Sequence, residues 1–198
     1  MRSFKRFNNR GFTLIELMIV VAIVGVLAAL AIYGVRKYLL NSKTAEVRNA
    51  LGQMSKDAKT AYERESMAGD VLGAGKSATV SNNLCASAGN PVPADKTSIA
   101  GKKYQSDPAP DKDWNADRAT PGKGFACLKF SLTDPQYYMY NYTSSTALLG
   151  TKDLDTFDAT GQGDLNGDGT LSTFTLSGKV VNGTVLVAPN FTEVNPEE

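Results

Sequence analysis

From Phe12 to Val35 the chain reads FTLIELMIVVAIVGVLAALAIYGV, and Glu16 is the sole charge in that run. Thr13, Gly25 and Gly34 are its other non-apolar members. Wound as an α-helix, the run spans about 36 Å, against a bilayer hydrocarbon core of about 30 Å. It is too long for the apolar core of a cleavable signal, and no A-x-A site comes after it. The segment is therefore expected to be kept. A carboxylate near the head of such a helix is costly in lipid and calls for a partner.

No proline occurs before Pro91, and the apolar run passes straight into a one-sided pattern. Leu40, Val47, Leu51, Met54, Ala58, Ala61 and Tyr62 recur at helical spacing, while Lys43, Arg48, Lys56, Asp57, Lys59 and Glu63 fall largely outside that stripe. One helix from Phe12 to about Ser66, roughly 75 Å long, is the simplest reading. Its first half is apolar all round, and its second half has one face to bury.

The net charge of +1 advertises no nucleic-acid partner. It conceals an asymmetry: residues 1–11 carry Arg2, Lys5, Arg6 and Arg10 with no acid, so the remainder is mildly acidic. Histidine is absent, which excludes Ser-His-Asp and Cys-His pairs, His-containing zinc sites and imidazole acid-base catalysis. Cys85 and Cys127 are the two cysteines. If the apolar segment exports the rest of the chain, they meet an oxidising space and pair. Such a bridge closes a loop of about 42 residues, worth roughly 4 kcal/mol in the chain-entropy picture.

The stretch GFTLIELMIVVAIVGVLAALAI, residues 11–32, resembles the leader junction and N-terminal helix of type IV prepilins, and the likeness continues more loosely to about Tyr62. The resemblance implies cleavage between Gly11 and Phe12 by a prepilin peptidase and N-methylation of the new Phe12 amine. The short leader and the phenylalanine look like the type IVa subgroup. The resemblance also implies a cytoplasmic leader, which local charge does not decide, because Arg36, Lys37, Lys43 and Arg48 balance the four leader cations. It gives Glu16 a role in assembly. One helical turn separates Glu16 from the amine, so the amine of one subunit is expected to meet Glu16 of a neighbour and set register. One departure is Tyr33, which stands where many relatives have proline.

The remainder reads as a head. Residues 67–122 are rich in Gly, Ala, Ser, Asn, Asp and Pro and read as a long connection pinned at Cys85. FACLKFSL (125–132) and QYYMYNY (136–142) read as strands. STFTLSGKVV and TVLVAP flank Asn182-Gly183, a two-residue hairpin signal. The expected fold class is α+β, an antiparallel sheet packed on the amphipathic half of the helix, and the resemblance implies the same pilin fold. The organisation expected is a cleaved leader at 1–11, an apolar transmembrane or filament-core helix at 12–35, an amphipathic helix at 36–66 and a head at 67–198. With Cys127 far from the C-terminus, residues 143–198 lie outside the bridged loop.

Residues 164–175, DLNGDGTLSTFT, resemble the start of a calcium loop, with Asp164, Asn166 and Asp168 at alternate positions and Gly169 next. The bidentate acid is missing, because Thr175 occupies its place; Asp153, Asp155 and Asp158 are the nearest substitutes. A plain turn between strands is the other reading. The sequons at Asn141, Asn182 and Asn190 are about as many as chance supplies. Tyr137, Tyr138, Tyr140 and Tyr142 read as strand packing rather than a stacking platform.

These readings converge on a type IV pilin. It is held in the inner membrane as a single-pass precursor, cut by prepilin peptidase, and assembled by the membrane machinery into a surface filament of self-associated copies. A type II secretion pseudopilin or minor pilin shares the junction. A membrane-anchored periplasmic enzyme or binding protein is the remote rival, distinguished by an uncut N-terminus. No catalytic group and no cofactor other than calcium is expected.

Overall fold

The computed structural model describes residues 11–64, 82–145 and 155–196. Helix α1 runs unbroken over Leu14–Glu63. The expected continuation to residue 66 lies outside the described residues, as do most of the leader and the stretch at 65–81. Contacts divide the chain into two units, one ending at Leu39 and one starting at Leu40.

In the first unit every described residue from Gly11 to Leu39 is exposed. The helix passes through Gly25, Tyr33 and Gly34 without interruption. Each glycine lowers helix propensity by about 1 kcal/mol, too little to break a helix whose neighbours are Ala, Leu, Ile and Val.

The second unit begins where the apolar pattern becomes one-sided. Thr44, Val47, Ala50, Leu51, Met54, Ser55, Ala58, Ala61 and Tyr62 are buried, at the i, i+3, i+4 spacing of a helix stripe. They pack on one face of an antiparallel sheet of five strands: β1 (Tyr138–Ser145), β2 (Thr156–Gly163), β3 (Ser172–Val181), β4 (Thr184–Val187) and β5 (Thr192–Val194). The order is β1-β2-β3-β4, with β5 also pairing β3. Asn182 and Gly183, both at positive φ, make the β3–β4 hairpin turn expected from the sequence. On the inner face Tyr138, Tyr140 and Tyr142 are fully buried, as period two requires, whereas Tyr137 points the other way and is half-buried.

Glycine sets how close the helix comes. Gly161 on β2 faces Val47 of α1 so tightly that an added Cβ would overlap Val47 Cγ2. Arg48 ties the helix to β5 through Glu193 at 2.9 Å and lies over the Phe174 ring. Glu46 accepts the Tyr137 N–H at 2.9 Å, and burial pushes its carboxyl above the usual range.

Among the described residues the connection before the sheet contains two single 3-10 turns, Lys96–Ser98 and Asp113–Asn115, the second of which holds buried Trp114. Cys85 and Cys127 are joined by a disulfide. Within the bridged loop Asp117 accepts the Gly89 N–H at 2.8 Å and pairs with Lys123 at 3.0 Å. One expectation is corrected here: FACLKFSL is not a strand. Gly124–Leu128 forms a short helix, α2, closed by Lys129 in the left-handed region at φ 62°. Phe125 and Leu128, three apart, are both buried, so a helical turn uses the same apolar letters that alternation would.

Candidate functional site in the N-terminal helix

Gly11 and Phe12 precede the first helical residue, and both are exposed; Phe12 is 88% accessible. Nothing lies within 4 Å of a Cβ added at Gly11. Gly11 and Phe12 are thus open backbone next to a helix start.

Glu16 closes that helix start. The Thr13 N–H donates to Glu16 Oε2 at 2.8 Å, the Thr13 hydroxyl donates to the same oxygen at 2.7 Å, and the Glu16 N–H donates to Thr13 Oγ1 at 3.3 Å. This is a reciprocal capping box, which satisfies two helix N–H groups that would otherwise be orphaned. The T-x-x-E spacing that signals it is present in the sequence, where the isolated charge of Glu16 overshadows it. The acid therefore has an intramolecular partner in the single chain. It also stands at the positive end of the helix dipole, where a carboxylate is favoured.

Behind this cap no charged residue occurs until Arg36. Leu14, Ile15, Leu17, Met18 and Ile19 are all at least half exposed, and so are the large side chains onward to Leu39. Among the described residues, the helix Leu14–Glu63 is the one long and apolar enough to cross a membrane. Such an area exceeds what monomeric proteins leave facing water, so it belongs in lipid or against other apolar surfaces.

The other sequence-derived candidates lie in the head. Asp164 is buried, and its two carboxylate oxygens accept the N–H groups of Gly167 at 2.6 Å and Gly169 at 3.0 Å. Asn166 Oδ1 accepts the Asp168 N–H, and Asp168 Oδ1 accepts the Thr170 N–H, which holds the Asp168 carboxyl below its usual range. Asp158 accepts a hydrogen bond from Ser177, and Asp153 lies outside the described residues. Among the described residues no three acids, cysteines or histidines converge as a metal-holding group.

Residues 6–32 match the prokaryotic N-terminal methylation motif. The chain is similar to the type IV major pilin protein PilA of Myxococcus xanthus (strain DK1622), 60% identical over 48 residues that cover 23% of this chain and 22% of the relative. It is similar to the type IV major fimbrial protein FimA of Dichelobacter nodosus, 54% identical over 46 residues, 23% of this chain and 30% of that one. The likeness to fimbrial protein Q of Moraxella bovis is 42% over 70 residues, 35% of this chain and 42% of that one. The match thus spans between about a fifth and two fifths of the length of these curated relatives. No solved structure matches the chain.

Proposed function

We propose that this chain is a structural subunit of a type IV pilus, cut after Gly11 and polymerised through its apolar N-terminal helix into a surface filament. The observation that carries the reading is the helix from Leu14 to Leu39, wholly exposed and apolar apart from Glu16 and two basic residues at its far end. The match of residues 6–32 to the N-terminal methylation motif supports it, and so does the similarity to proteins named as major pilins.

In this reading the precursor waits in the inner membrane as a single-pass protein with its leader in the cytoplasm. Prepilin peptidase removes residues 1–11, the Phe12 amine is methylated, and the pilus machinery moves the helix from lipid into a bundle of identical helices. Lipid tails are as apolar as leucine, so this transfer gains little hydrophobic free energy, and packing and polar pairs decide the geometry. The Phe12 amine of one copy and Glu16 of its neighbour form such a pair. Unpaired, either charge is expensive away from water; paired, they are tolerated in one register only. Glu16 exchanges its cap at Thr13 for, or shares it with, the incoming cation. We assign the chain no catalytic role.

The test is Glu16→Leu in the producing cell. Filaments seen by electron microscopy should vanish or fall at least tenfold while the subunit remains in the membrane fraction. Filaments in normal number would refute the assembly role of Glu16.

A further inference from the structure

Two charges bound the apolar stretch of α1, and the distance between them matches a bilayer. No Asp, Glu, Lys or Arg occurs between Glu16 and Arg36. The helix rise over residues 16–36 separates the two by about 30 Å, the thickness of the hydrocarbon core. With Glu16 at the headgroups of one leaflet, Arg36 therefore emerges among those of the other. We propose that Arg36, Lys37 and Tyr33 form a docking site for the headgroup of an anionic phospholipid in the leaflet on the Arg36 side. This inference rests on the membrane-held reading above but not on polymerisation.

Helical spacing brings the three residues together. Tyr33, Arg36 and Lys37 stand at i, i+3 and i+4 of an unbroken helix, positions that share one face. Gly34 adds no side chain beside them, and nothing lies within 4 Å of the place its Cβ would take. Arg36 and Lys37 are exposed, and Tyr33 and Tyr38 are 69% and 73% accessible. A phenol at the end of an apolar span settles at headgroup level, where its ring meets hydrocarbon and its hydroxyl meets water. The aliphatic stems of Arg36 and Lys37 lie along apolar surface while their charged ends reach the same level.

Charge selects the kind of headgroup. The sequence has no Asp or Glu between Glu16 and Glu46, so neither cation has a carboxylate one turn away on its own helix. A guanidinium beside an ammonium attracts phosphate, and the guanidinium fork matches two phosphate oxygens. A zwitterionic headgroup brings a phosphate already balanced by its own ammonium, whereas an anionic one leaves that charge for the protein. Each Lys or Arg at such a surface favours the anionic lipid about fivefold. Exposed Ile32 and Val35 lie next to the cations and take acyl chains, which a soluble anion lacks.

For the test, the full chain is placed in nanodiscs of phosphatidylcholine, and phosphatidylglycerol is raised stepwise at constant salt. The backbone amide signals of residues 33–38 should move saturably with phosphatidylglycerol. Arg36→Gln and Lys37→Gln should each raise the midpoint about fivefold, and Arg36→Lys should raise it less. Inorganic phosphate added to discs of phosphatidylcholine alone should leave the signals in place. Signals indifferent to lipid charge, midpoints unmoved by either Gln substitution, or an equal response to inorganic phosphate would overturn the proposal and leave the membrane-held reading standing. A chain that stays out of discs of both compositions would overturn the two together.

Discussion

Glu46 shows how one carboxyl can serve the fold and still work against it. Its oxygen accepts the Tyr137 N–H and so fixes where β1 begins against α1, but burial raises its pKa despite the nearby Lys103 charge. The native state then binds this proton more tightly than the unfolded chain. The contribution of Glu46 is greatest below the unfolded carboxyl value and is lost as pH rises through the raised native value. Glu46→Gln keeps an acceptor for Tyr137 and removes the desolvated charge. It should leave stability near pH 4 almost unchanged and increase it at pH 7, as read by denaturant midpoints at the two values. A greater gain at pH 4 than at pH 7 would reverse the assignment. Single residues are unequally legible in the sequence. Glu16 stands out because no other charge surrounds it. Glu46 does not, because a helix with a charge every few positions gives no sign of which one a distant strand will cover.

At the scale of elements, the sheet and helix meet through absent side chains. Gly161 leaves the space that Val47 Cγ2 fills. Gly161→Ala should destabilise the head by about 1–3 kcal/mol through overpacking. Val47→Ala should cost about 1–2 kcal/mol through the void it leaves. Together they should cost less than their sum, because the new methyl enters the vacated space. Full additivity in chemical denaturation would show that these two residues do not share a contact. The same glycines explain why β2 is hard to see in the sequence. TFDATGQG lacks the β-branched and aromatic density of a strand, and its apolar side is Phe157, Ala159 and two glycines chosen for clearance. α1, β1 and the β3–β4 hairpin are legible from length, alternation and Asn-Gly. α2 is not, because five residues are too few for any period to show. For the 164–170 turn we propose closure without a cation: its acids are committed to the turn's own amides. Excess calcium against chelator should leave the melting temperature within about one degree. A rise of several degrees would mean that a cation displaces those bonds, by the linkage that stabilises any bound state.

For the whole molecule, the sequence and the structure agree on a division of labour along one helix. One part, to Leu39, is exposed at every described residue, and the next part, from Leu40, belongs to the unit that holds the α+β head. The first is dictated by hydropathy alone. The head is less legible in detail, because its connection from residue 82 to 122 holds its shape through side-chain-to-backbone bonds such as those of Asp117 and Asp113, which leave no periodic trace. The central claim is that this exposed helix is trimmed at its head and then buried among copies of itself. The most direct measurement is the intact mass and N-terminal sequence of the protein recovered from sheared cell-surface fibres. The account predicts a chain that begins at Phe12, carries one methyl group on its amine and retains the Cys85–Cys127 bridge. A chain that begins at Met1, or its absence from the fibre fraction while it remains in the membrane, would contradict it.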